Sequence, residues 1–164
     1  MVSTLFPLVR DHYWLKHPKI IEEINFKAHT YLSKYERVDD YLSDEIIQKH
    51  LDHKLIIATS IPQDAPFFVF DYNGDDAARF LHKAAKILRQ NSLDQFQPYE
   101  SKTAAHLHLY VYCGHISAPK REELGKIIST MLEEKLPKQW RIFPNSGLPD
   151  AYNILNLPYQ TFKG

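Results

Sequence analysis

The chain of 164 residues holds a single cysteine, Cys113. A lone thiol excludes an internal disulfide and any cysteine-rich zinc module, and it suits a reducing compartment. Net charge is missing too: twenty basic and twenty acidic residues cancel, and the pI is near 7.1. That balance excludes a protein that coats nucleic acid through bulk positive charge, although it leaves room for a local basic patch. No apolar run approaches the length of a membrane span, and the opening "MVSTLFPLV" has no basic leader and is broken by Pro7. The expectation is a cytoplasmic protein with no membrane partner. Repeats and low-complexity tracts are absent, and the ten prolines are scattered rather than gathered into a linker. With 44% hydrophobic residues, a chain of this length reads as one domain, residues 1–164, with a sizeable core.

What is present is a change of hydrophobic period. Residues 1–45 read as an N-terminal helical segment, because Ile20, Ile21, Ile24, Ala28, Tyr31 and Leu32 fall at helical spacing after Pro18. Ser43 and the two acids after it open a further helix across "LSDEIIQKHLDHK". "KLIIATSI" and "FFVFDY" are β-rich runs parted by "PQDAP", which predicts neighbouring strands. "GDDAARFLHKAAKILRQNS" is an amphipathic helix burying Ala77, Phe80, Leu81, Ala84, Ala85, Ile87 and Leu88. "AHLHLYVYC" is a strand, and Ser117 with Pro119 starts another helix. "QWRIF" and "YNILNLPYQTF" close the chain in extended form. The order predicts an α+β domain with helices on one face of a mixed or antiparallel sheet.

The candidate chemistry lies in "FFVFDYNGDD". On a strand Asp71 and Asn73 share a face and Tyr72 takes the other, so the pair, with Asp75 and Asp76 adding oxygens, suits a magnesium or manganese ion. The same residues equally make a turn whose acids cap the next helix. His106 and His108 share a strand face near His115; imidazoles there could hold a transition metal, donate to phosphate, or simply line a half-exposed sheet. Lys83, Lys86 and Arg89, with His82, suit either backbone phosphates or the solvated face of their helix.

Taken in order, these segments resemble the prim-pol domain of the archaeo-eukaryotic primase superfamily, particularly the small primase domains of bacterial mobile and conflict systems. The resemblance runs over about residues 46–164 through "IIQKHLDHKLIIATSI", "FFVFDYN", "DDAARFLHKAAKIL", "ESKTAAHLHLYVY", "SAPKREELGKIIS" and "RIFPNSGLPDAYNILNLPYQ". It implies an RNA-recognition-type sheet, with Asp71 as first metal-binding acid and His106 as the phosphate-binding histidine, assisted by Ser101, Lys102 and His108. The family's second acid is here Asn73, the nearest residue to its third is Arg141, and the glycine two before the histidine is Ala104. A two-metal site needs several carboxylates, and an arginine opposes a cation by about 3 kcal/mol per unit of metal charge at about 6 Å, before screening. The expectation is therefore a primase-like protein with a degenerate, non-catalytic site, with Asp71 and Asp75 as its remaining metal-binding acids. It would bind nucleotide or nucleic acid, or act as an interaction module in replication or repair. Two alternatives stand beside it. One is an active metal-dependent nucleotidyltransferase, a DNA primase or polymerase, using Asp71 with Asp75 or Asp76. The other is a purely protein-binding domain.

Overall fold

The computed structural model describes residues 6–101 and 106–163. In chain order its elements are β1 (Tyr13–Lys16), β2 (Glu22–Phe26), β3 (His29–Ser33), β4 (Tyr35–Val38), α1 (Asp44–Leu51), β5 (Ile57–Ser60), β6 (Phe67–Tyr72), α2 (Ala77–Gln90), β7 (Phe96–Glu100), β8 (Leu107–Tyr112), α3 (Ala118–Glu133), β9 (Trp140–Phe143), a 3₁₀ turn over Asp150–Tyr152, β10 (Ile154–Asn156) and β11 (Gln160–Thr161). The fold is α+β, and every strand pair is antiparallel. The chain divides into two compact units. One takes residues 8–62 and 145–157; the other is built on residues 63–144 with pieces from both chain ends. The division does not coincide with residue 45, since residues 46–62 and 145–157 go with the N-terminal strands.

The unit built on β6 follows the order β6–α2–β7–β8–α3–β9, and its sheet runs β11-β7-β8-β6-β9. This is the split βαβ arrangement of RNA-recognition-type sheets. Strand alternation sends Phe68, Phe70 and Tyr72 of β6 and Leu107, Leu109 and Val111 of β8 to one face, where they meet Phe80, Ala84 and Leu88 of α2 and Ile128 and Leu132 of α3. Phe80 is the pivot. It stacks on Tyr72 at 4.5 Å between ring centroids and touches Trp140 at 5.5 Å and Phe70 at 6.0 Å. Arg121, buried on α3, donates from its Nη1 to the carbonyls of Gln63 and Ala65, which fixes the chain leading into β6.

The other unit has a four-stranded sheet, β10-β5-β1-β4, with α1 packed through Ile47 against Leu42, Ile57 and Leu157. On the opposite face Trp14, Ala58 and Ile154 form a small cluster. Buried hydrogen-bonding side chains complete it. The amide nitrogen of Ile57 donates to His50 Nδ1 at 3.0 Å, and His50 Nε2 donates to the Leu157 carbonyl at 2.9 Å. Asn153 Nδ2 donates to the carbonyls of Asn145 and Leu148, while its Oδ1 accepts from the Asn145 amide at 2.6 Å.

Two sequence expectations are corrected. The N-terminal segment is not helical: the residues expected to form a helical stripe lie in and beside the β2–β3 hairpin, and Ile20, Ile21 and Leu32 are exposed. Their spacing mimics a helix, but Ile, Thr, Tyr and Phe at alternate positions suit a strand at least as well. The turn at Lys27 and Ala28, with φ of 48° and 64°, carries none of the glycine or asparagine that usually announces such a hairpin. Nor are "KLIIATSI" and "FFVFDY" neighbours: β5 pairs with β1 and β10, whereas β6 pairs with β8 and β9.

Candidate functional site

The register of the β6 unit builds a row of polar residues across three strands. Asp71 on β6 stands directly opposite His108 on β8 and Arg141 on β9, so all three share the face away from the helices. His108 Nε2 lies 3.3 Å from Asp71 Oδ1, and Arg141 Nη2 lies 3.5 Å from Asp71 Oδ2. The carboxylate and imidazole are buried, while the arginine side chain is 67% exposed and forms the solvent side of the row. Burial would push the Asp71 carboxyl up. The hydrogen bond and charge of His108, with help from Asn73 and Arg141, outweigh that and hold it below the ordinary carboxylate range. His108 Nδ1 is buried without a hydrogen-bond partner among the described residues.

Beside the row the face is largely aromatic. Tyr110 packs against Tyr99, Phe67 and Phe6 at ring-centroid distances of 5.4–5.6 Å. Burial, with Tyr99 and Asp71 nearby, pushes the Tyr110 phenol far above its usual range. Phe67, Tyr99 and Tyr110 are all buried, so they offer no open platform on which bases could stack.

The turn after β6 explains "DYNGDD" without a metal. Asn73 leaves the strand, donating its backbone amide to Gln139 and its side-chain Nδ2 to the Asp71 carbonyl at 3.3 Å. Its amide nitrogen, not its oxygen, is turned toward Asp71. Gly74 is required because a Cβ there would fall on the Tyr72 hydroxyl and crowd Gln139. That hydroxyl accepts from the Asp76 amide, and Asp76 Oδ1 caps α2 by accepting from Arg79 N at 3.0 Å. Asp75 is not brought to Asp71. It lines a small pocket with Tyr72, Arg79, Phe80 and Gln139 on the helix side of the sheet, because alternation sends residues 71 and 72 to opposite faces.

The acids expected to hold a metal, Asp71 and Asp75, are not gathered into one cluster by this geometry. Among the described residues no group of three or more His, Cys, Asp or Glu stands close enough to hold a metal ion. One oxygen of Asp71 faces His108 and the other faces Arg141, so the site offers a single carboxylate between two basic side chains and does not fit a magnesium or manganese ion. His106 sits just before β8, half-buried, with its carbonyl accepting from the Ser101 amide at 3.4 Å; the imidazole that meets Asp71 is that of His108. Lys102 and Ala104 lie outside the described residues. The alternation in "HLHLYVY" puts Tyr110 on the face of His108, but sequence reasoning did not identify Tyr99, which reaches the row only through the pairing of β7 with β8.

No helix among the described residues is long and apolar enough to cross a membrane. A comparison with curated proteins gives no match. Residues 1–65 are similar to a family described as a domain of unknown function (DUF1882), a match that covers less than half of the 164 residues.

Proposed function

We propose that the protein is a primase-like module that binds the phosphates of a nucleotide or nucleic-acid strand without performing phosphoryl transfer. One observation carries the reading: the two oxygens of Asp71 face His108 and Arg141 across neighbouring strands. In a working prim-pol-like site that position would be shared with further carboxylates around divalent ions. Here the same place holds one acid and two basic groups, so its chemistry favours an anion over a cation. Arg141 is the exposed member, and a guanidinium is well matched to phosphate oxygens. Because Phe67, Tyr99 and Tyr110 beside the row are buried, recognition would rest on charge more than on base stacking, with little dependence on sequence.

The test is fluorescence anisotropy of the full chain with a labelled single-stranded oligonucleotide and with a labelled nucleoside triphosphate, across a salt series, beside a primer-synthesis assay with manganese. The expected outcome is salt-sensitive binding with no synthesis, and Arg141→Ala should reduce the salt slope for the oligonucleotide by about 0.7. Synthesis above background sinks the non-catalytic reading and restores the nucleotidyltransferase alternative. Absence of binding to both probes sinks the nucleic-acid reading and leaves the protein-binding one.

A further inference from the structure

A second constellation lies in the β1 unit, and the proposed phosphate site makes no use of it. Asp11 Oδ1 is 2.7 Å from His12 Nδ1, His12 Nε2 is 2.8 Å from Ser60 Oγ, and Trp14 Nε1 is 2.9 Å from the same oxygen. We propose that Ser60 is an activated nucleophile toward carboxylic esters, with His12 as its general base and Asp11 as the residue that positions the imidazole.

The directions of these hydrogen bonds follow by elimination. A carboxylate only accepts, so His12 Nδ1 carries the proton that points to Asp11. In the neutral ring that leaves Nε2 as an acceptor. Indole nitrogen only donates, so the bond from Trp14 uses a lone pair of Ser60 Oγ and leaves the hydroxyl hydrogen for His12 Nε2. A serine aligned on a base, with the base held by a third group, is the arrangement that makes a hydroxyl nucleophilic. Trp14 adds a donor that offsets the charge growing on Oγ as its proton leaves.

The parts are also held in place. Ser60 ends β5, where it pairs with Ile154 of β10, and β5 is flanked on its other side by β1. The His12 ring packs edge-on to Trp14 at 6.5 Å, and Trp14 itself is buried. The His12 side chain is 12% exposed and Ser60 is half-buried, whereas Asp11 is open to solvent. The nucleophile therefore stands on a strand rather than a loop, which suits a fixed attack geometry.

The reaction balances with water as the second substrate. Ser60 Oγ bonds to the acyl carbon while its proton passes to His12 Nε2. The bond from acyl carbon to the alcohol oxygen breaks, and the departing alcohol takes that proton. Water then attacks the acyl-serine, yields a proton to His12, and the acid leaves as Ser60 Oγ is reprotonated. The sum is ester plus water to acid plus alcohol.

A purely structural role would give the same distances but no reactivity, and this separates the two. The full chain is treated with a fluorophosphonate probe, modified residues are mapped by mass spectrometry, and p-nitrophenyl acetate is followed for an acylation burst. We expect labelling at Ser60 in the folded protein, loss in Ser60→Ala, and slowing by about 100-fold or more in His12→Gln. Asp11→Asn should slow labelling by about tenfold or more, and Asp11→Glu should restore most of it. Because Asp11 is exposed, neither change should disturb folding, which circular dichroism checks. Absence of labelling at Ser60 in the folded parent overturns the proposal. So does labelling that survives unfolding in urea, or that His12→Gln leaves unchanged.

Discussion

The two units bury their sheets with different materials. In the β6 unit the helix-facing side is phenylalanine, tyrosine, tryptophan, leucine and valine packed around Phe80, and the polar residues stand in one row on the other face. In the β1 unit the apolar clusters are small, and the backbone is pinned by buried side chains that hydrogen-bond it: His50 to Ile57 and Leu157, Asn153 to Asn145 and Leu148. A large apolar core is sensitive to lost volume, because vacated space refills poorly. A small core held by polar pins is sensitive to lost partners and to protons, because each unpaired buried group bears its full desolvation cost.

The comparison can be broken most forcefully at Phe80. Phe80→Ala removes a fully buried ring with three aromatic neighbours and should cost about 3–5 kcal/mol in a urea titration, with faster hydrogen exchange in β6, β8 and β9. A cost below about 1 kcal/mol would show that the site collapses freely and that this core is not tightly packed.

The counterpart in the other unit is His50→Ala, which strands the Ile57 amide and the Leu157 carbonyl and should cost about 2–3 kcal/mol. His50 also carries a pH dependence. Burial lowers its proton affinity and nearby His53 adds to this, against the opposing hydrogen bond to Leu157. The unfolded chain therefore takes up the proton first, and stability should fall as pH drops below about 6.5. Thermal melts between pH 7.5 and 5 should show that decline, and His50→Gln should flatten it.

Asp71 titrates lower. Its native carboxyl is held below the ordinary range, so the stability it contributes is complete above about pH 4 and is lost as the pH falls through its native value. Melts from pH 5 to 2.5 should be steeper for the parent than for Asp71→Asn; parallel curves would mean that the row across β8, β6 and β9 adds no net stability. The smallest effect is a gain. Lys27 and Ala28 both sit in the left-handed region, and Ala28→Gly should stabilise the hairpin by about 1 kcal/mol, read as slower exchange of the Phe26 and His29 amides.

What was legible in the sequence follows the same division. Helix starts could be read because their chemistry is local: Ser43 accepts from Ile46 N, Asp76 from Arg79 N and Ser117 from Lys120 N, each three residues on. The central strands of the β6 unit, β6 and β8, could be read because their apolar runs are long, whereas β7, with Pro98 at its middle and no such run, was not read. The β2–β3 hairpin could not, since its turn lacks the residues that favour positive φ and its apolar positions also fit a helix. "PQDAP" announced an interruption but not that the next strand joins a different sheet. At the site, the contact of Asp71 with His108 rather than His106 depends on strand register, which no single strand encodes. Ser60 and His12 are 48 positions apart, and it is the pairing of β5 with β1, the strand that begins just after His12, that brings them together.

The late position of β10 gives chain synthesis an order of events. Residues 8–62 emerge first, yet the strand that pairs with the far edge of β5, the Leu157 carbonyl that receives His50, and Asn153 all arrive after the whole of residues 63–144. Until then β5 has an open edge and His50 lacks its acceptor. A growing chain must hold that half-built sheet in the presence of another sheet's strands, which is where wrong pairing and aggregation begin. Truncation before residue 154 should therefore harm the N-terminal strands as much as the C-terminal ones, although no residue of the first sixty has been touched.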